Sequence, residues 1–427
     1  MNSSSSALAA FSQENLDPMA ESFPKHTQIV VIGGGVIGTA IAFRLAELGS
    51  RDIAVLERGQ LGCGTSWHAA GNIPLMDQIP EMVQLNRLAA DLYEWFEQEQ
   101  SIGWRRCGRV ILARTESRMA EFRSLVNSAK SADVEAYLMS PQEAQAKLPN
   151  FRTDDLVGAL WSPSDGRINP TDLISTYVRK ARAQGVQFFE DTKVKSVIVT
   201  DSRVAGVETS QGDIRCEYVV NCAGLWSRPL GLQNEIDIPV YPVEHFYALT
   251  EPIDGITPDM PTFRDPDALI YGREEVGGLL VGCFDLNAKP VSPETLPDDF
   301  SFSLLNEDWE QFGPYMERGM HLVPALANTG IKTLVNGPES FTPDGFPILD
   351  HVKAVKGYFV LAGLNSAGIL RSAGMALALA EWIVNSDPGI DVSRFSLNRF
   401  RPQHNDEAWL RDQVRHAPSG HFAAPGG

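Results

Sequence analysis

Several things are scarce in this chain, and each scarcity excludes something. Only five cysteines occur among 427 residues (Cys63, Cys107, Cys216, Cys222, Cys283), none in a C-x-x-C pair. Neither a zinc site nor a disulfide framework is expected, and a reducing compartment suits the composition. The eight histidines contain no H-E-x-x-H pattern, so no protein metal site is expected. Basic residues fall short of acidic ones, 36 against 54, and the net charge of −18 disfavours nucleic acid and anionic membranes as partners. Long apolar runs are missing too. The longest, Ile29 to Phe43, is short for a membrane span and is interrupted by glycine. Residues 1–26 hold no arginine and lack the basic start and apolar core of a secretory signal, so they read as a disordered extension and the protein as cytoplasmic.

What is present is concentrated between Thr27 and His68. A β-branched run, Ile29 to Ile32, meets Gly33, Gly35 and Gly38 in G-x-G-x-x-G spacing. Ile37, Ile41, Leu45 and Leu48 then recur at helical intervals, and Ile53 to Leu56 ends in Glu57. Gly33 permits a tight turn, Gly35 admits a pyrophosphate, and Gly38 lets helix and strand approach. The helix N-terminus, with Val36 and Ile37 in its first turn, presents free N–H groups to an anion. Glu57 is placed to accept from a ribose hydroxyl. These residues establish a dinucleotide site and leave NAD and FAD both open.

Further along, helices are expected over 81–100, 116–136 and 171–184, with Ser140, Pro141 and Glu143 forming a helix start. Short strands over 186–216 read as a small antiparallel meander, after which Tyr218 to Ala223 returns the chain to the nucleotide-binding sheet. Residues 241–334 alternate strand and loop as an antiparallel sheet would. A strand, a glycine-bearing turn and a helix recur at 358–384. The remainder, 387–427, reads as a polar tail, loose from Pro418 onward. The fold class is therefore α/β: a Rossmann-like dinucleotide-binding domain (27–75 with 155–240 and 335–386) interleaved with an antiparallel-sheet substrate domain (76–154 with 241–334).

Several polar residues stand where pattern alone leaves two readings. His68, between Trp67 and Ala69, and His245 and Tyr271, in apolar strands, are either functional or merely satisfied core groups. Arg273 and Arg371 are either carboxylate anchors or surface arginines.

GTSWHAAG (64–71), NCAGLWS (221–227), VEHFY (243–247), NGPESFTPDGFPI (336–348) and AGLNSAGI (362–369) together resemble the FAD-dependent dimethylglycine and sarcosine dehydrogenases of the D-amino-acid-oxidase-like superfamily. The likeness runs from about Thr27 to Arg411. It implies FAD, attached covalently through His68. Arg58, Thr65, Ser66, Val194, Ala223, Gly224 and Trp226 would lie along its ADP half, and Gly363, Leu364, Gly368 and Ile369 beside the flavin ring. It implies that His245 and Tyr271 approach a substrate amine, and that the reaction is oxidative N-demethylation of a small N-methylated amino acid with release of formaldehyde. The electron acceptor would be oxygen, an electron-transfer flavoprotein or a quinone, and a homo-oligomer stays open. Gly272 departs from the bulkier residue that relatives often carry, and the chain stops where a folate-binding half begins in many of them. The alternatives are oxidation of another secondary amine or cyclic imino acid, and a non-catalytic regulatory flavoprotein.

Overall fold

The computed structural model describes residues 23–131 and 133–421. Most of the expected N-terminal extension (1–22) and the last six residues of the tail lie outside the described residues. Residues 23–26, expected as part of that extension, are docked. Phe23 meets Phe189 edge-on at 5.4 Å, and the Lys25 carbonyl accepts from the Arg215 amide.

Ile29–Ile32 has no polar face, so it needs cover on both sides. It lies inside a six-stranded sheet in the order Ile348–His351, Tyr358–Ala362, Tyr218–Asn221, Ile29–Ile32, Ile53–Leu56, Gln187–Phe189. All pairs are parallel except the one involving Ile348–His351. Of the short strands expected as a meander over 186–216, Gln187–Phe189 instead joins this sheet beside Ile53–Leu56, while Val194–Thr200, Arg203–Thr209 and Gly212–Arg215 form the meander that returns the chain to it. The meander covers one face with Val197, Val204, Val207 and Ile214.

Four helices cover the other face: Val36–Glu47, Pro80–Glu99, Pro170–Arg182 and Gly368–Asn385. Phe43, Phe96 and Tyr177 interlock there, with ring centroids 5.5–5.7 Å apart. Pro80–Glu99 falls within the segment expected in the substrate domain. Its apolar stripe (Met82, Leu85, Ala89, Tyr93, Phe96) instead joins the core of the dinucleotide domain. Its close contact with Gly368–Asn385 depends on Gly374, where a Cβ would lie 2.9 Å from the Leu85 carbonyl carbon.

The second layer is an eight-stranded sheet in the order Ile331–Phe341, Tyr241–Thr250, Gly278–Cys283, Ile270–Glu275, Thr262–Asp265, Arg109–Ala113, Gly158–Ser162, Tyr137–Met139. The boundaries expected at 155 and 335 do not follow this sheet. Gly158–Ser162 pairs with Arg109–Ala113, and Ile331–Phe341 runs through 335 along the whole of Tyr241–Thr250. A strand's sheet is decided by its partner, and no local pattern encodes the partner. The expected helix start at Ser140 is a complete capping box.

The tail is not loose where it is described. Glu407–Val414 is a helix capped by Asp406, and its i, i+4 pair Leu410 and Val414 is buried against Tyr241, Val243 and Phe341. The docking carries His421 inward, where its ring stacks on Phe284 at 4.7 Å. Among the described residues no helix is long and apolar enough to cross a membrane.

Candidate functional site

The glycine turn is built as the spacing requires. Gly33 has φ +108°, and a Cβ there would lie 2.5 Å from the Cys222 carbonyl oxygen. At Gly38 a Cβ would lie 3.0 Å from the Gly33 carbonyl carbon, so only glycine lets the helix start this close to its strand. Gly35 is the N-cap of Val36–Glu47 and offers no side-chain cap. The Val36 amide donates to the Ser66 hydroxyl at 3.0 Å, and the rest of the helix mouth faces a cleft. Gly368–Asn385 also begins without a side-chain cap.

Glu57 is buried at the end of its strand. Its two carboxylate oxygens accept from the amides of Gly34 (2.7 Å) and Gly59 (3.0 Å). Burial raises its pKa and these backbone bonds oppose the rise. A carboxylate has about four acceptor sites, so capacity for a ribose hydroxyl remains.

One cleft gathers Gly33, Gly35, Val36, Ile37, Glu57, Arg58, Thr65, Ser66, Val194, Ala223, Gly224, Trp226, Gly363, Leu364, Gly368 and Ile369. Gly38 stands behind it as the packing contact. At one end the Arg58 guanidinium lies over the Trp226 ring at 4.1 Å. At the other, the turn after Tyr358–Ala362 uses positive φ at Gly363, Asn365 and Ser366. Asn365, which sequence reading passed over, pins this turn: its Oδ1 accepts from the Thr342 amide (2.8 Å) and its Nδ2 donates to the Gly363 carbonyl (2.7 Å). An elongated cleft with helix mouths, a glycine-shaped phosphate cradle and a buried acid at the ribose position fits the expected FAD.

A smaller chamber adjoins the cleft and shares Ala69, Glu339, Ser366 and Ile369 with it. Its volume is about 110 Å³. His68 lines it, buried in a short helical turn, with its pKa lowered to about 4 by burial against an opposing pull from Glu339. The ring is therefore neutral at pH 7.

The rest of the wall is one face of the eight-stranded sheet, and the strand register shows why. Gly337 is opposite His245, Tyr247 is opposite Gly282, Gly282 is opposite Tyr271, and Tyr271 is opposite Arg264. Side chains alternate along a strand, so Glu339, His245, Tyr247, Tyr271 and Arg264 share that face. His245 Nε2 is 3.5 Å from the Tyr271 hydroxyl and 3.4 Å from the Ser366 hydroxyl, while its Nδ1 is buried without a partner among the described residues. Burial pushes the Tyr271 hydroxyl well above its usual pKa, with Glu339 adding to the rise. Tyr271 thus stays protonated at neutral pH. Gly272 leaves no room for a bulkier residue, because a Cβ there would lie 2.5 Å from Phe263 Cζ. Tyr271 keeps its place with the small neighbour.

The arginines differ from expectation. Arg273 donates through Nε to the Ala70 carbonyl (2.6 Å), donates to the Glu274 carbonyl and pairs with Glu275, so it is committed to the loop that carries His68. Arg371 pairs with Asp77 at 3.5 Å and lines a neighbouring cavity whose wall also includes Arg109, Arg264 and His421. Neither lines the chamber. Arg264 and Arg109 do, with Arg264 donating to the His421 carbonyl and Arg109 lying 3.7 Å from Asp165. His421 is a further wall residue that the sequence did not suggest. Among the described residues no three potential ligand side chains come together as a metal site.

Comparison with known proteins places this geometry. The chain is 36% identical over 396 residues to the mitochondrial pyruvate dehydrogenase phosphatase regulatory subunit of Mus musculus, covering 92% of this chain and 45% of that protein. It is 37% identical over 402 residues to the mitochondrial sarcosine dehydrogenase of Homo sapiens, covering 91% and 43%. It spans less than half the length of these relatives. The L-proline dehydrogenase of P. horikoshii has the same fold, with TM-score 0.80 at 23% identity over 88% of this chain and 98% of that one. The family model for FAD-dependent oxidoreductases, DAO, matches residues 28–382. The chain belongs to the DAO family of FAD-dependent oxidoreductases.

Proposed function

We propose that the protein oxidises a small N-methylated amino acid, of the sarcosine or dimethylglycine kind, at the carbon–nitrogen bond. The observation that carries this reading is the His245–Tyr271 pair, 3.5 Å apart, in a small chamber that shares four wall residues with the dinucleotide cleft. FAD, held by the cleft residues, supplies the two-electron acceptor.

Removal of a hydride from the N-methyl carbon needs a free nitrogen lone pair, so the substrate ammonium must first lose a proton. His245 Nε2 is the base, and the Tyr271 hydroxyl, kept protonated by burial, rests its single O–H on Nε2 until the substrate N–H takes that position. Arg264 and Arg109 anchor the carboxylate. The resulting iminium takes up water and releases formaldehyde and the demethylated amine. Phe263 and Phe284 supply apolar wall beside the His245–Tyr271 pair.

His68 is the covalent attachment point in this reading. The support is its W-H-A-A-G setting, its neutral ring and its position where the chamber meets the cleft. Flavin remaining with acid-precipitated wild-type protein, and released from His68→Ala, is the expected outcome.

The decisive measurement is anaerobic mixing with sarcosine, dimethylglycine and other N-methyl amino acids. Bleaching of the oxidised flavin and recovery of formaldehyde are expected. A flavin that no such amine bleaches would instead favour the second reading, a regulatory flavoprotein, which the likeness to a phosphatase regulatory subunit supports.

A further inference from the structure

Among the described residues Glu339 is a buried acid with no hydrogen-bond or ion-pair partner for its side chain. It lies on the strand Ile331–Phe341 and is 7% exposed. Its Oε2 is sealed from solvent without a hydrogen bond, and it forms no ion pair among the described residues. It is also the only ionisable member of the four residues shared between cleft and chamber. A carboxylate oxygen taken out of water and left unbonded is costly, so such a group is normally matched by a donor. The neighbouring His68 does not neutralise it, because burial keeps that ring uncharged at pH 7.

The strand register puts Glu339 two residues from Gly337, which is opposite His245, so acid and imidazole stand on the same sheet face, with the His68 ring seated over the glycine between them. Given the N-methyl amino acid oxidation proposed above, on which this inference rests, we propose that Glu339 accepts an N–H of the substrate nitrogen and so selects secondary over tertiary amines. The proton count is the reason. A protonated secondary amine carries two N–H bonds: one proton leaves for His245 Nε2 and the other stays to donate to Glu339, so the lone pair is freed while the nitrogen remains held. A protonated tertiary amine has one N–H. Once that proton is lost, nothing is left to donate, and the buried acid is unpaired at the moment of reaction.

The experiment compares sarcosine with dimethylglycine, measuring kcat/KM in the wild type, Glu339→Gln and Glu339→Leu, with flavin content as the check on folding. The wild type should favour the secondary amine, and Glu339→Leu should reduce that preference by about 10-fold or more, the usual scale for losing a charged hydrogen-bond partner. Glu339→Gln, which keeps a carbonyl acceptor without the charge, should fall between and decides the matter if the leucine variant does not hold flavin. A wild type that prefers dimethylglycine, or a preference untouched by both substitutions, overturns the role of Glu339 while leaving the proposed reaction standing. A wild type that oxidises neither amine nor any other N-methyl amino acid overturns both.

Discussion

The imidazole of His68 lies directly on the backbone of Gly337: a Cβ at 337 would sit 2.6 Å from Nδ1 and 2.8 Å from Nε2. The glycine is thus the seat of the ring. The ring takes up the room that the glycine leaves between Glu339 and His245, and Gly282 makes similar room for Tyr271, where a Cβ would come 2.5 Å from the hydroxyl.

Gly337→Ala should therefore displace His68 without unfolding the sheet, since Ile331–Phe341 is an edge strand. The acid-stable fraction of the flavin should fall several-fold while far-ultraviolet dichroism is unchanged. Full retention of attached flavin would show that the ring has room to move.

His245→Ala should slow anaerobic flavin reduction by about 10²–10⁴-fold, the usual contribution of a positioned base. Tyr271→Phe should cost less, because it removes a hydrogen bond to the base and leaves the base in place. Stopped-flow reduction at saturating amine separates the two, and equal losses would argue against this division of roles.

His68 gives the flavin-free protein a pH dependence. Its folded-state pKa of about 4 lies below the ordinary 6.5, so the unfolded chain binds the proton more readily. The stabilisation is present above pH 6.5 and is lost as the pH falls towards 4, amounting to about 3 kcal/mol over that window. Urea denaturation of apoprotein between these limits should show the loss, and His68→Asn should flatten it.

Leu410→Ala should cost about 2–5 kcal/mol if the whole burial is forfeited, and it should loosen the tail from Tyr241 and Phe341. His421→Ala should act further in, removing the ring that stacks on Phe284 and widening the chamber. The expected readout is a lower KM for amines larger than sarcosine with little change in kcat. Limited proteolysis should cut the Leu410 variant first.

Why some of this was readable in the sequence and some was not follows from the range of the interactions. The glycine turn, Glu57 and the helix mouth are local, and the spacing of Gly33, Gly35 and Gly38 describes their geometry almost completely. His68 and His245 were reachable because each sits in a distinctive short string, whereas Tyr271 lies outside those strings and came from the resemblance alone. Arg264 is different: in the string TFRD it looks like any surface arginine, and only the register Tyr271↔Arg264 turns it inward. Arg273, two residues past Tyr271, was one of two candidate anchors, and it donates to Ala70 and Glu274 instead. His421 lies in a polar stretch whose docking depends on two apolar residues, Leu410 and Val414, too few to stand out. Glu339 was quoted within PESF but carried no signal, because a buried acid cannot be told from an exposed one before the fold is known.

The path of the chain limits how such a protein can be remodelled. The eight-stranded sheet is assembled from 109–162 and 241–341, while strands at 29–56, 187–221 and 348–362 build the other sheet. No single excision or graft lifts out the substrate wall intact, so a recognition cassette cannot be swapped between relatives as a loop or domain can. Any retargeting, by selection or by design, has to proceed one side chain at a time across strands that the sequence keeps far apart.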